Sequence, residues 1–186
     1  MKATNGTADS TNGAVTDCEV RQQGLQERVE SEHGTTMVEY ALPNGIVLAG
    51  QPQPEDWQKL ANRGFTLVVN MRSDPERAAI QAENAEGAGI RSLHLPLPAY
   101  ELEPVHLEAF REVVERAGDE KLMIHCRSAS RTALLWMLQR ISYDGWSQEA
   151  AEAELRAAGY GDDDMEVFNY CAEDYFERTV ETDVFV

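Results

Sequence analysis

From Thr35 onward, short apolar runs alternate with longer segments whose apolar residues return every three or four positions. The run Phe65-Thr66-Leu67-Val68-Val69-Asn70-Met71 is almost unbroken, as in a strand covered on both faces. Shorter runs at 37–42, 46–48, 90–95 and 122–124 predict further strands, bounded by turn residues such as Pro43-Asn44-Gly45. Helical spacing places Trp57, Leu60 and Ala61 on one face of 54–63, with Pro54 suited to the first helical position. After a loop over 72–76 a helix follows to about Glu86, closed by Gly87 and Gly89. Another starts at Pro104, carries Leu107, Phe110, Val113, Val114 and Ala117, and stops at Gly118. The segment Ala133-Leu134-Leu135-Trp136-Met137-Leu138 is apolar nearly all round, so its helix is expected to be buried. Ser147 is placed to cap a helix over 148–158, and a last helix turns Met165, Phe168, Cys171, Ala172 and Tyr175 inward. Strands alternating with helices predict an α/β fold with a mostly parallel central sheet flanked by helices. It is expected as a single domain over 35–186. Residues 1–34, rich in Thr, Asn, Gly, Glu and Gln, read as a weakly ordered polar leader.

Composition narrows the possible partners. A net charge of −17 over 186 residues repels nucleic-acid backbones and anionic membranes, so neither is expected as a partner. There is no run of about 18 apolar residues to span a bilayer. The first fifteen residues lack the apolar stretch of a secretory signal, which predicts a cytoplasmic protein. The cysteines (18, 126, 171) and histidines (33, 94, 106, 125) share no ligand spacing, so neither a metal nor a cofactor is expected. The overall field also opposes an anionic substrate. A phosphate site in this chain must rely on local arginines and loop amides.

One stretch has the parts for that. In 121–138, KLMIHCRSASRTALLWML, an apolar strand ends at Cys126, and Arg127-Ser128-Ala129-Ser130 lead into Arg131 at the start of the buried helix. A thiolate there is favoured by the positive end of the helix and the neighbouring guanidinium. Ligands of open parallel sheets bind beyond the carboxyl ends of the strands, where Cys126 falls. Arg72-Ser73-Asp74 and the loop 96–103 are expected on the same rim. The reading is a cysteine nucleophile facing phosphate or another tetrahedral oxyanion.

HCRSASRTALLW (125–136) resembles the active-site loop of the bacterial phosphatase-like family related to the N-terminal part of beta-lactamase-hydrolase-like proteins, within the cysteine-dependent dual-specificity phosphatase superfamily. GQPQPEDWQKLANRGFTLVVNMRSDPE (50–76) and, more weakly, HLPLPAYELEP (94–104) resemble it too, in the same order. The resemblance implies a phosphomonoester hydrolase acting on a phosphorylated protein or small molecule. It makes Cys126 the nucleophile that forms phosphocysteine and Arg131 the holder of two phosphate oxygens. The amides of Arg127, Ser128, Ala129, Ser130 and Arg131 would form the cradle, Thr132 would hydrogen-bond the thiolate, and His125 would orient the loop. Arg72 and Arg127 are further candidate contacts with substrate. The chain departs from the family's pattern at Ala129, where most members have glycine. It also has no aspartate in the loop after 90–95, which leaves Asp74 and Glu101 as candidate general acids. Four residues separate Cys126 from Arg131, a spacing shared with rhodanese-type sulfurtransferases. A rhodanese-like activity and a phosphate-binding module with little turnover are therefore the alternative readings.

Overall fold

A computed structural model describes residues 34–98 and 101–180. Its sheet contains β1 (Glu39–Ala41), β2 (Val47–Ala49), β3 (Leu67–Asn70), β4 (Arg91–His94) and β5 (Leu122–His125), in the order β1-β2-β5-β3-β4. Only β1 and β2 pair antiparallel; β2–β5, β5–β3 and β3–β4 are parallel. The helices are α1 (Trp57–Asn62), α2 (Pro75–Gly87), α3 (Pro104–Ala117), α4 (Ser130–Ser142), α5 (Gln148–Ala158) and α6 (Asp162–Val180). The architecture is the α/β fold with a mostly parallel sheet that the residue pattern predicts. No helix among the described residues is long and apolar enough to cross a membrane. The polar leader expected over 1–34 lies outside the described residues except for Gly34, whose carbonyl accepts from Lys59 Nζ at 2.7 Å.

Both faces of the sheet are covered, which is why β3 and β5 are apolar at successive positions. On one face Val47, Val68 and Met123 pack with Trp57 and Leu60 of α1, Ala85 of α2, Phe65 and Ile90. On the other, Leu48, Leu67, Val69, Leu122 and Ile124 meet a larger cluster that includes Leu107 and Phe110 of α3, Trp136 of α4 and Phe168 of α6. Helix α4 lies within this cluster, and Ala133 through Leu138 are all buried. A helix surrounded by sheet and helices needs apolar residues on every side.

The start of α1 differs from the expectation. Residues 54–56 form a turn, and the helix begins at Trp57 rather than at Pro54. The reason is Asp56, whose fully buried carboxylate accepts from Gln53 N (2.9 Å), Thr36 N (3.0 Å) and Thr36 Oγ1 (2.8 Å). It is drawn back toward the preceding chain instead of forward over the helix. Ser147 does cap α5, accepting from Ala150 N at 3.2 Å.

Register brings the carboxyl ends of the parallel strands together. His125 lies beside Ala49 on one flank and Asn70 on the other, and Asn70 lies beside His94. The segments leaving these residues form one rim.

Candidate active site

The rim is assembled around the turn from β5 into α4. Cys126, a free thiol only 3% exposed, donates its backbone N–H to Ala49 O at 3.2 Å. Gly50 then bridges to Ser128, and Gln51 N donates to Arg127 O at 3.2 Å. The approach is close enough that a Cβ on Gly50 would lie 3.3 Å from Arg127 O and 3.2 Å from Val38 Cγ2. A side chain there would push on the loop's backbone, which accounts for glycine at this position.

The loop closes at Ala129, the N-cap of α4, in the left-handed conformation (φ 68, ψ −4). An L-residue there costs about 1–2 kcal/mol, which glycine avoids. Ala129 is fully buried, and its carbonyl accepts from Ala133 N (3.1 Å), Thr132 Oγ1 (2.7 Å) and the Tyr160 hydroxyl (3.1 Å). Ser130, Arg131 and Thr132 then open the helix, so their N–H groups have no acceptor one turn back within it. Helix starts of this kind offer free N–H groups to anions.

Arg131 ties this start to two other segments. Its Nη1 donates to both Met71 O and Leu97 O, each at 2.7 Å, so the loops after β3 and β4 meet at its guanidinium. Nε, on the other side of the fork, is buried without a partner. Burial pulls the Arg131 pKa down from its ordinary value, while Cys126 opposes that shift. A half-buried guanidinium with Nη1 anchored and Nε unpartnered keeps free the side of the fork that can grip two oxygens of a phosphate or carboxylate.

His125 lies under the loop, fully buried, with Nδ1 3.3 Å from Cys126 O. A carbonyl can only accept, so Nδ1 carries the hydrogen. Nε2 is buried and unpartnered. Burial lowers the pKa from 6.5 to about 4, partly offset by the Cys126 hydrogen bond, so the ring is neutral at pH 7. A stability effect follows. Between pH 6.5 and 4 the unfolded chain takes up a proton that the folded one refuses. This group's contribution is therefore complete above pH 6.5 and is lost as pH falls toward 4, at up to about 1.4 kcal/mol per pH unit and about 3 kcal/mol in all. Urea unfolding at pH 7 and pH 4.5 should show a larger loss for the parent than for His125→Gln; equal losses would contradict the assignment.

Arg72 is held on every side. Its N–H donates to Asn70 Oδ1 at 2.9 Å, its carbonyl meets His94 Nε2 at 2.7 Å, and its Nη1 bonds Gln51 Oε1. Burial, and then the positive charges of Arg77 and Arg127, pull its pKa below the ordinary value. Arg72 and Arg127 therefore gather positive charge at the rim of an otherwise acidic molecule. Arg127 is exposed, Ser128 half-buried and Ser130 buried, with the two serine hydroxyls 3.3 Å apart.

The remaining candidates lie differently. Asp74 caps α2: Oδ1 accepts from Glu76 N and Arg77 N at 3.1 Å each, and Oδ2 pairs with Arg77 Nε at 3.3 Å. Glu101 is exposed, with a positive φ of 53, in the segment after Leu97. The single hydroxyl proton of Thr132 is committed to Ala129 O, so in this arrangement it is not donated to Cys126. Sequence reasoning did not single out Gln51, Asn70 or Tyr160. Asn70 carried a signal, as a polar residue inside an otherwise apolar strand; Gln51 and Tyr160 carried none.

The description "Beta-lactamase hydrolase-like protein, phosphatase-like domain" belongs to a family model that matches residues 40–142, from β1 to the end of α4. The beta-lactamase hydrolase-like protein of Xylella fastidiosa (strain Temecula1 / ATCC 700964) is 25% identical over 123 residues, which cover 62% of this chain and 28% of that protein. The dual specificity protein phosphatase TpbA of Pseudomonas aeruginosa PAO1 is 29% identical over 127 residues, covering 67% of this chain and 56% of that one. The chain thus spans 28% and 56% of these two relatives' lengths. A crystal structure of a Cys-to-Ser variant of P. aeruginosa TpbA in complex with phosphotyrosine is similar with a TM-score of 0.57 at 23% identity, covering 81% of this chain and 93% of that one. That last likeness is one of fold.

Proposed function

The chain belongs to the family of the phosphatase-like domain of beta-lactamase hydrolase-like proteins, and on that premise we propose that it hydrolyses phosphate monoesters through a phosphocysteine on Cys126. The observation that carries this reading is the buried, unpartnered Nε of Arg131, five residues along the same loop from the free thiol of Cys126. In the first step Cys126 Sγ bonds to phosphorus while the phosphorus–oxygen bond to the leaving group breaks. The leaving oxygen takes a proton from a general acid. In the second step water adds to phosphorus, the phosphorus–sulfur bond breaks, and the water's proton passes to the same group, now acting as base. Arg131 and the loop amides hold the equatorial oxygens throughout, with charge stabilisation already in place before each step. Arg72 and Arg127 offset the repulsion of an anionic substrate by the acidic surface. Neutral His125 donates to Cys126 O and keeps the strand end in place. Phosphotyrosine, the ligand of the TpbA variant, is the first aryl phosphate to try.

Of the two acid candidates, Glu101 suits the role better, because both carboxylate oxygens of Asp74 are engaged in capping α2 and pairing with Arg77. A general acid matters most when the leaving group is poor. Glu101→Gln is therefore expected to slow hydrolysis of phenyl phosphate by about 10²-fold, and that of p-nitrophenyl phosphate far less. Asp74→Asn should slow both equally and slightly. A leaving-group dependence that appears in Asp74→Asn instead would exchange the two roles.

The whole reading is tested by phosphate release from an aryl phosphate, alongside thiocyanate formation from thiosulfate and cyanide. Phosphate release that depends on Cys126 supports it. Sulfur transfer lost with Cys126, or anion binding without turnover, would overturn it.

A further inference from the structure

Ala129 holds a conformation that favours glycine, yet the loop is closed and buried around it. The reason lies outside the residues that the family model matches. Tyr160 follows α5, and its hydroxyl donates to Ala129 O at 3.1 Å. Its ring stacks on Tyr40 at 3.7 Å between centroids and meets Phe168 edge-on at 5.5 Å. Its backbone is also fixed: Tyr160 N donates to Leu155 O at 3.2 Å, and the next residue's N–H donates to Asp164 Oδ2 at 2.7 Å. Burial raises the phenol's pKa well above 10, so it keeps its proton and remains a donor.

A trans peptide is planar, with its C=O and N–H pointing in opposite directions. Three donors on the Ala129 carbonyl, Ala133 N, Thr132 Oγ1 and Tyr160, hold that oxygen turned away from the loop mouth. They thereby fix the direction of the N–H on the other side of the same plane, that of Ser130. We infer that Tyr160 is a positioning residue for the anion-binding loop: through the Ala129 carbonyl it holds the Ser130 amide in the orientation that receives phosphate oxygens. The inference rests on the phosphatase reading for its catalytic consequence, but not for its effect on the loop itself. The α5–α6 connection thus supplies to an alanine loop a constraint that the turn does not provide by itself.

Tyr160→Phe keeps the stacked ring and removes one donor. Hydrogen exchange of the Ser130 amide in the anion-free protein should quicken by about tenfold, that is, by one donor's contribution of about 1.4 kcal/mol. The dissociation constant for orthovanadate should rise by a similar factor, and kcat/KM should fall with it. In an Ala129→Gly background, where the left-handed turn is unstrained, the same substitution should have a markedly smaller effect on all three. A purely structural tyrosine would lower Tm and leave loop exchange, vanadate affinity and kcat/KM unchanged in both backgrounds, and that result overturns the inference. If the parent neither binds vanadate nor turns over, the phosphatase reading fails, while the exchange of the Ser130 amide still decides the role of Tyr160.

Discussion

Replacing Cys126 with serine is expected to reduce phosphate release from an aryl phosphate by about 10⁴-fold or more while the protein still binds orthophosphate. Serine replaces the thiol proposed as the nucleophile but leaves the amides and Arg131 in place, so turnover and anion affinity should separate. Removing a covalent nucleophile typically leaves only the contribution of binding and electrostatics. Arg131→Lys should behave differently. Lysine has no planar fork; it cannot reach two phosphate oxygens while also serving Met71 O and Leu97 O. Loss of one preorganised donor commonly costs about 10²–10³ in rate, and Arg131→Lys loses at least that, so both kcat and anion affinity should fall. The decisive comparison is made by steady-state kinetics beside calorimetric phosphate binding. Cys126→Ser activity above a tenth of the parent's would sink the covalent mechanism, and unchanged phosphate affinity in Arg131→Lys would remove the guanidinium from the site.

Much of this arrangement was legible in the residue pattern because local chemistry dictated it. An apolar strand ending in Cys126, small residues, Arg131 and a helix apolar all round allow few arrangements other than a buried strand, turn and buried helix. The left-handed position was hinted at by the family resemblance rather than by the residues, because most members have glycine where Ala129 stands, and φ there is 68. What could not be read were partners chosen by long-range packing. Asp56 reaches back twenty residues to Thr36, and that bond, not the helix preference of Pro54, decides where α1 begins. Thr132 had two acceptors to choose from, the Cys126 sulfur and a carbonyl; the turn at Ala129 aims the carbonyl at it. Asp74 looked like one solvated acid among many, but two free amides at the start of α2 gave it a capping place. Tyr160 lies thirty-one residues beyond the carbonyl it holds, with no periodicity to connect them.

A second large effect is expected far from the thiol, at Glu154. Its carboxylate, on a residue 8% exposed, accepts from Trp136 Nε1 (2.7 Å), Arg140 Nε (2.9 Å) and Arg140 Nη2 (2.7 Å). Arg140 lies between the rings of Trp136 and Trp146, 4.6 and 4.4 Å from their centroids. Burial by itself lowers the Arg140 pKa, but its bonds to Glu154 and Asp144 outweigh that and raise it. The exposed pairs Arg111–Glu115 and Arg116–Glu112 should each be worth less than about 1 kcal/mol. Glu154 is different, since removing it takes the acceptor from Arg140 Nε and Nη2 and from an indole N–H between α4 and α5, and leaves the guanidinium only its Asp144 partner. Glu154→Leu should therefore destabilise the fold by about 3–5 kcal/mol, or on the order of 10 °C in Tm for a chain of this size. Adding Arg140→Met should recover part of that loss, because much of the cost is guanidinium N–H groups left without an acceptor rather than the missing pair. Denaturant unfolding of the parent, the single variant and the double variant tests this. A single-variant loss below about 1 kcal/mol would place Glu154 with the surface pairs, and a double variant less stable than the single would show that the guanidinium stacking on the tryptophans, not the ion pair, joins the two helices.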